Sequence, residues 1–325
     1  MQRRLLLQAS TLLAGASVTG FASAQQYPIR PIKLVVPWPA AGVTDIVARV
    51  IGDRLQQEIG QPVVVDNKPG ANGFIGTEYV AKSAPDGYTL LLMTTTTHIV
   101  APNLYRNLPY DPIKDFAPIS QVTSAPTIMV GPANSQFADV AAMIAYAKAN
   151  PKKLNYATYG AGGSSQLAAV LFMQAADIDM TAIPYKGAAP AVVGLMSGEC
   201  NVFFDTIPSS LGHVKSGKLK GYAVTSTKRV EAAPEIPALA ELFPGFDFTV
   251  WQAIEAPAGT PKAVVDRLSA ALIKIADMPD VKAKFNSLGA AAVSSPTPES
   301  LAQQILREKT RMASVIKRAN IGYLD

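Results

Sequence analysis

The sequence predicts an α/β protein with two lobes and a ligand-binding cleft between them. Short apolar, β-branched runs alternate with stretches of helical periodicity, which is typical of mainly parallel sheets flanked by helices. Two longer extended segments punctuated by proline, at 116–132 and 246–257, interrupt this alternation. If both segments cross between the lobes, they form a hinge of two strands.

The first element along the chain is a targeting segment at residues 1–24. Two arginines at positions 3 and 4 precede an apolar run over 5–21, and Ala22-Ser23-Ala24 matches a small-residue cleavage site. Polar residues interrupt the run, whereas a membrane anchor needs about 20 strongly apolar residues. We therefore expect export with cleavage near Ala24, by either the general or the twin-arginine route.

The composition argues against several functional classes. The chain has 325 residues, of which 49% are hydrophobic and 16% charged, with a net charge of +5, so a folded core is expected. The single Cys200 permits no internal disulfide, and the two histidines, His98 and His213, are too few for a structural zinc site. The small basic excess contains no Lys/Arg block, so nucleic-acid binding has little support. We expect no metal and no cofactor.

The strands and helices of the mature chain can be placed in order. The clearest helix carries Val47, Ile51 and Leu55 on one apolar stripe. Near the C-terminus, Thr260-Pro261 and Thr297-Pro298 have the pattern of an N-cap followed by the first helical residue. Cys200 is expected to be buried beside a strand. The predicted strands lie at 32–36, 63–65, 89–93, 128–130, 154–157, 182–184, 202–204 and 221–224.

The crossing segments divide the mature chain into two predicted domains. Residues 25–124 and 247–325 form a discontinuous first domain, and residues 125–246 form the second. Ligands of open α/β sheets bind beyond the carboxyl ends of the strands, where loops lead into helix N-termini. Two loops of that type contain residues suited to ligand binding.

The first of these loops runs from Pro37 to Asp45, directly after the first strand and before the clearest helix. Small residues and Gly42 let the backbone approach a ligand, and the helix N-terminus presents free N–H groups with about half a positive charge. This pattern suits an anion. The alternative is an ordinary strand–helix turn capped by Thr44 or Asp45.

The second loop runs from Thr158 to Gln166 and is rich in glycine and hydroxyl side chains. A Rossmann fingerprint fails because its third glycine falls on Ser165, and a phosphate-binding loop fails because no Gly-Lys-Ser/Thr follows. A nucleophile elbow also fails, because Gln166 stands where its second glycine belongs. The loop is either a generic anion cradle or an ordinary glycine-rich turn.

Lesser candidates follow the other strands. The hydroxyls of residues 94–97 could line the same cleft, while His98 fits either a ligand contact or a structural hydrogen bond. Lys186 is the best-placed cation or else a solvated loop lysine, and Asp205 either binds a ligand or caps the following helix. Trp38 and Trp251 either flank the cleft or belong to the core.

The order of several short motifs resembles the Bug family, the periplasmic solute-binding proteins of tripartite tricarboxylate transport systems. Each motif alone is weak, but together they cover nearly the whole mature chain. They are Tyr27-Pro28, residues 31–37, Gly42-Val43-Thr44-Asp45, residues 67–71, Ala84 to Leu90, Tyr156-Ala157-Thr158, Pro184-Tyr185-Lys186-Gly187, Asp205 and Gly217-Lys218-Leu219.

The resemblance implies a two-domain periplasmic-binding-protein fold that closes like a flytrap on a small organic acid. In the family the loops matching 38–45 and 158–165 hold a ligand carboxylate, and segments matching Thr94–His98, Tyr185 and Asp205 shape the distal side. This chain departs at Ala41, where a glycine is usual, and at Gln166, where a histidine is common. The predicted ligand-binding residues are Trp38, Ala41, Gly42, Thr44, Asp45, Thr95, Thr97, His98, Thr158, Gly160, Gly163, Ser164, Ser165, Tyr185 and Asp205.

The function predicted from these features is carboxylate capture without catalysis. We expect a periplasmic, monomeric protein that delivers a mono- or dicarboxylate to the membrane permease subunits of a tripartite tricarboxylate transporter. Few cations line the predicted cleft, and an aromatic ligand would fit if Trp38 or Tyr159 stacks on it. One alternative is presentation of the ligand to a membrane sensor kinase, and a remote one is a serine hydrolase using Ser164 or Ser165 with His98 and Asp205.

Overall fold

The computed structural model describes residues 27–160, 162–318 and 321–324. The predicted leader at 1–24 and its cleavage near Ala24 lie outside the described residues. Across these ranges no helix combines the length and the apolar character needed to cross a membrane.

Strands and helices alternate along the chain as predicted. In order, the first half contains β1 (Ile32–Val36), α1 (Val43–Ile59), β2 (Val63–Asn67), a 3-10 turn (Ala71–Gly73), α2 (Phe74–Ala81), β3 (Thr89–Thr94), a π-helical turn (Thr96–Val100), α3 (Ala101–Leu104), β4 (Phe116–Pro132) and α4 (Val140–Ala149). The second half contains β5 (Asn155–Thr158), α5 (Ser164–Ala176), β6 (Thr181–Pro184), α6 (Ala188–Met196), β7 (Val202–Thr206), α7 (Ile207–Lys215), β8 (Leu219–Val224), α8 (Leu239–Leu242), β9 (Thr249–Pro257), α9 (Lys262–Asp277), α10 (Pro279–Ser287), β10 (Ala291–Ala292) and α11 (Pro298–Arg318).

The strands form two hydrogen-bonded sheets that share β4. The first sheet has the order β2, β1, β3, β9, β4, with the short β10 also on β4. The second sheet has the order β4, β7, β5, β6, with β8 also on β4. Parallel crossovers through helices connect β1 to β2 and β5 to β6, which places α1 and α5 directly after strand ends.

The bridging strand β4 has the bounds predicted for the first crossing segment. Its residues 116–126 pair with β9 in the first sheet, and its residues 127–132 pair with β7 and β8 in the second. The second predicted crossing segment begins as a strand at Thr249, three residues later than expected, and pairs with β3 and β4. Just before it, the Phe248 N–H donates to the Thr225 carbonyl at the end of β8. The division of the chain at 124/125 and 246/247 stays a prediction.

Both sheets are mixed, which differs from the mainly parallel sheets expected. The pairs among β1, β2 and β3 and those among β5, β6 and β7 are parallel. Every pair that includes β4 or β9 is antiparallel. In the part of the chain that the structure describes, no helical crossover connects β4 or β9 to the strands that pair with them, so these two strands can run antiparallel to their neighbours.

The buried faces follow the predicted apolar patterns. Helix α1 buries Val47, Ile51 and Leu55 against the first sheet and ends at Gly60, which adopts φ 73°. Cys200 is a buried free thiol, as predicted. The predicted start of α9 was wrong by one residue: Pro261, not Thr260, is the N-cap, because the Thr260 hydroxyl donates to the Pro257 carbonyl instead.

Candidate functional site

A cleft between the two sheets contains a central cavity of about 230 Å³. The first sheet and its helices contribute Thr44, Val47, Val250, Gln252 and Leu288 to its wall. From the other side come Ser164 and the segment Thr206–Pro208 at the start of α7. Among the described residues, no Lys, Arg, Asp, Glu or His lines this cavity.

Two further cavities adjoin the central one. The second, of about 130 Å³, shares Ser164 and Val250 with it and is also lined by Thr95, Glu308 and Arg311. The third, of about 260 Å³, shares Pro126, Ile207, Gly289 and Ala290 with it and is also lined by Lys228, Arg229 and Glu231. The charged side chains of the cleft therefore lie beside the central cavity, not in its wall.

The two walls of the cleft touch at the turn after α10. An added Cβ at Gly289 would lie 2.7 Å from the Cβ of Ile207 in α7, and Gly289 adopts φ +66°. Nearby, the Asn286 side-chain amide donates to Glu231 across 2.8 Å. Two reasons favour glycine at this position. A side chain would be strained at this positive φ, and it would collide with the opposite wall of the cleft.

Asp45 organises the first predicted loop from inside. Its carboxylate accepts hydrogen bonds from the Ala41 N–H at 2.9 Å and from the Arg49 guanidinium at 3.0 Å. The bonded Arg49 holds the pKa of Asp45 below its usual range, with the Ala41 N–H helping. Ala41 adopts φ 67°, in the left-handed region where a glycine would be free of strain. Asp45 is 3% exposed and its oxygens are already engaged, so its structural role is to hold the loop.

The remaining residues of the first loop lie around the helix start. Gly42 is the N-cap of α1, so Thr44 is its second helical residue, and the Thr44 hydroxyl oxygen accepts a hydrogen bond from the Gln252 amide at 3.0 Å. Trp38 accepts a bond from Asn67 through its carbonyl and packs beside the first-sheet core, while its buried indole N–H has no partner among the described residues. Of the five residues predicted in this loop, Thr44 alone lines the central cavity.

The two serines of the second predicted loop face different surroundings: Ser164 faces the cleft and Ser165 faces the core. Ser164 begins α5 after the N-cap Gly163 and lines both the central and the second cavity. Ser165 is fully buried instead: its hydroxyl accepts from the Tyr159 N–H at 2.9 Å and lies 3.4 Å from the Thr158 hydroxyl. Gly160, with φ +114°, accepts from the Gly163 N–H and so folds the loop back on itself.

Asp205 lies beneath this loop and does not reach the cleft. Its buried carboxylate accepts hydrogen bonds from the Tyr159 hydroxyl and from Ser210. Burial, with the nearby Asp205 carboxylate, raises the pKa of Tyr159, so the phenol stays protonated and can donate. The structure therefore places Asp205 as a support for the second loop, because both of its oxygens are directed at protein partners. Tyr159 and Ser210 are the partners that the sequence did not identify for this role.

The segment after β3 is only partly in the cleft. Thr95 lines the second cavity, but Thr97 and His98 are fully buried behind it. The Thr97 hydroxyl donates to the Thr94 carbonyl at 3.0 Å, and His98 Nε2 lies 2.9 Å from Glu255 Oε2 on β9. The π-helical turn rotates Thr97 and His98 towards the core, so they line none of the three cavities.

Tyr185 lies away from the three cavities as well. Its hydroxyl is 3.3 Å from the Cys200 thiol, beneath α6. Burial, followed by the contact with Cys200, raises the pKa of Tyr185. Trp251 is buried in the core, where its indole N–H donates to Glu308.

The groups required for a serine hydrolase are not brought together. Ser165 bonds to its own loop, Asp205 bonds to Tyr159 and Ser210, and His98 contacts Thr97 and Glu255. A nucleophile needs a base within about 3 Å, and no such contact is present among these described groups. Nor do the described residues contain a group of three or more His, Cys, Asp or Glu arranged to hold a metal ion.

Several cavity residues carried no recognised sequence signal. Gln252 lies in the extended segment that was predicted only as a crossing strand, and Thr206 follows Asp205 at the start of α7. The turn Leu288–Ala290 contains no motif. A glycine with flanking apolar residues was the one available sign, and it does not distinguish this turn from others.

A cleft between two α/β sheets that share a strand, lined by helix N-termini and hydroxyls, defines a solute-binding protein. Residues 47–321 match the family described as "Tripartite tricarboxylate transporter family receptor". The chain belongs to this family, in agreement with the Bug resemblance.

Similar proteins cover almost the whole chain. BugT of Bordetella pertussis (strain Tohama I) is 36% identical over 316 residues, which are 97% of this chain and 97% of that protein. The structure of the periplasmic binding protein BugD is 35% identical, covers 91% of this chain and 100% of its own, and has a TM-score of 0.71. A structure of an R. palustris protein with adipate is 32% identical, covers 92% and 100%, and has a TM-score of 0.75.

Proposed function

We propose that this protein captures a small organic carboxylate in the central cavity and delivers it to the membrane subunits of a tripartite tricarboxylate transporter. The observation that carries the proposal is the convergence of three helix N-termini on one cavity. Thr44 lies in the first turn of α1, Ser164 begins α5, and Thr206 is the N-cap of α7.

Helix N-termini attract a carboxylate by two means. Their first N–H groups have no partner within the helix, and the aligned peptide dipoles place about half a positive charge at each end. A hydroxyl side chain accompanies each of the three N-termini and can donate a further hydrogen bond. The site can therefore bind an anion without a lysine or arginine in its wall.

The remaining predicted residues are assigned supporting roles. Asp45, with Ala41 and Gly42, holds the first loop, and Asp205 holds the second through Tyr159. We propose the same two domains as the sequence predicted, residues 25–124 with 247–325 and residues 125–246, closing on the ligand as a monomer. The likeness to the adipate-bound protein supports an organic acid as the ligand.

Export to the periplasm completes the proposal. Residues 1–24 have the sequence pattern of a leader, which we propose is removed near Ala24. BugD, a periplasmic binding protein at 35% identity, supports the same location for this chain. We propose no reaction of its own, since the family consists of receptors.

Thermal-shift screening against a panel of mono-, di- and tricarboxylates at millimolar concentration tests the proposal. A ligand that binds only the folded state increases the free energy of unfolding, by about 2.7 kcal/mol at a ligand concentration 100 times its Kd. This gain in stability raises Tm. The paired variants Thr44→Val and Ser164→Ala should lose the shift, and Ser216→Ala, an exposed serine at the end of α7, should retain it. If no carboxylate stabilises the wild-type protein, the proposal is wrong.

A further inference from the structure

The described wall of the central cavity combines a few hydroxyl groups with a mainly apolar surface and no charged side chain. Three hydroxyl residues, Thr44, Ser164 and Thr206, lie at helix N-termini. Nine of the sixteen residues in the wall are apolar, and Val47, Ile207, Val250 and Leu288 are the largest. A ligand that fills this space therefore meets the hydroxyls of three helix starts, Thr44 on one side and Ser164 and Thr206 on the other, and a wall that is otherwise mainly apolar.

The other polar groups of the wall are already paired with protein atoms. The Gln252 amide donates to Thr44 and accepts from the Thr123 hydroxyl at 3.3 Å. The Thr127 hydroxyl lies 3.0 Å from that of Thr225. By contrast, the side chains of Ser164 and Thr206 make no hydrogen bond to another described residue. Because Thr44 accepts from Gln252, its own hydroxyl proton is free to donate.

The adjoining third cavity offers no net attraction for a second anion. Two cations, Lys228 and Arg229, line it, but Arg229 is bonded through two nitrogens to Glu241 at 2.7 and 2.8 Å. Glu231 lies in the same wall and brings a second negative charge. The two positive charges are thus matched by two carboxylates.

The second cavity is balanced in the same way. Arg311 there donates to the Asp247 carbonyl, and Glu308, in the same wall, accepts from the Trp251 indole. A carboxylate placed against the apolar part of the central wall would lose its water without gaining a partner, which is costly. Neither the two adjoining cavities nor the apolar part of the central wall therefore offers a favourable position for a second carboxylate.

From this arrangement we infer that the ligand is a monocarboxylate with an apolar body, an aliphatic or aromatic chain that lies against Val250, Ile207 and Leu288. The inference rests on the proposed function and narrows it. It separates this chain from the relative whose structure contains adipate, a dicarboxylate.

Calorimetry with matched acids tests the inference on the exported protein. Hexanoate and adipate have six carbons each and differ in the number of carboxylates, and benzoate and terephthalate form an aromatic pair. The better monoacid should bind at least about tenfold more tightly than its matched diacid, a ratio that corresponds to about 1.4 kcal/mol.

A variant with an added cation tests the role of the apolar wall in rejecting a second carboxylate. Leu288→Lys places an ammonium beside the apolar wall and should move the adipate-to-hexanoate affinity ratio towards adipate by about tenfold or more. Leu242→Lys, a half-exposed leucine outside the three cavities, is the matched control and should leave the ratio unchanged. The nearly isosteric Val250→Thr makes the same wall more polar and should also move the ratio towards adipate.

The outcomes separate the two proposals. Binding of adipate or terephthalate as tightly as the monoacid overturns the inference and leaves the proposed function intact. An unchanged ratio in both Leu288→Lys and Val250→Thr also overturns it. A wild-type protein that binds no carboxylate at all overturns the proposed function, and the inference falls with it.

Discussion

The phenol of Tyr159 donates a hydrogen bond to the carboxylate of Asp205, which also accepts one from Ser210 at 2.5 Å. Asp205 is fully buried at the end of β7, directly before the N-terminus of α7. Tyr159 opens the loop that leads to Ser164, and its N–H donates to Ser165. One buried carboxylate therefore fixes two of the three helix starts that face the central cavity.

We expect Tyr159→Phe to lower the free energy of unfolding by about 1.5–3 kcal/mol, the usual value of a hydrogen bond to a charged group. The second loop should loosen at the same time, so carboxylate affinity should fall as well. Urea denaturation and calorimetry measure the two effects. Tyr185→Phe is the control, because its hydroxyl lies beside the Cys200 thiol beneath α6 and makes no contact with Asp205. Equal losses in the two variants would contradict this account of Asp205.

We expect Gly289→Ala to weaken ligand binding by about tenfold or more, because a methyl group would press against Ile207 and hold the walls of the cleft apart. Calorimetry with the acid of largest thermal shift measures the loss, and X-ray scattering should show a larger radius of gyration. Gly217→Ala is the matched control, since Gly217 has a similar φ of +71° but no atom within 4 Å of the added Cβ. If both variants bind equally well, the contact with Ile207 has no part in closure.

Asp45→Asn should destabilise the protein at pH 7 by about 1–2 kcal/mol, because the bond to the half-exposed Arg49 is partly screened by solvent. The pKa of Asp45 is lower in the folded protein than in the unfolded chain. Its contribution is therefore complete above the unfolded pKa of about 3.9 and is lost as the pH falls through the folded value.

The difference between wild type and Asp45→Asn should accordingly shrink below about pH 4, which urea denaturation across pH 2.5–7 can follow. Asp53→Asn, on the exposed face of the same helix, serves as the control. A difference that stays constant down to the lowest pH would refute the assignment of the effect to the Asp45 charge.

Removing one member of the buried His98–Glu255 contact should cost about 1–3 kcal/mol, because the other polar side chain would be left in the core without this neighbour. The double variant His98→Leu with Glu255→Leu should recover much of this loss. A double-mutant cycle in urea measures the coupling between the two residues. Additive single losses would show that the two side chains do not interact.

The sequence identified the strands and the loops because each has a local signature, and it identified the family because several weak motifs follow one another in order along the chain. The predicted bounds of β4 match those of the structure, since its prolines and apolar residues mark an extended segment that cannot be helical. The two loops at 37–45 and 158–166 were recognised because small residues follow a strand and precede an amphipathic helix. These signals depend on neighbours in the chain, which a sequence displays directly.

The direction of individual side chains could not be obtained in this way. Ser164 and Ser165 are adjacent and chemically identical, but the helix turns one into the cleft and the other into the core. Thr97 and His98 were expected to line the cleft, and a π-helical turn places them in the core behind the second cavity. Gln252 and Gly289 reach the cavity through contacts between distant parts of the chain, for which a single sequence has no signature.

The sharing of β4 by the two sheets has a practical meaning for protein engineering. Neither sheet can be expressed as a separate fragment without losing a strand that its neighbours require for their hydrogen bonds. Ligand preference is therefore not transferable between relatives by exchanging one half of the molecule at a linker. It has to be transplanted residue by residue, at the short loops and turns that meet in the cleft.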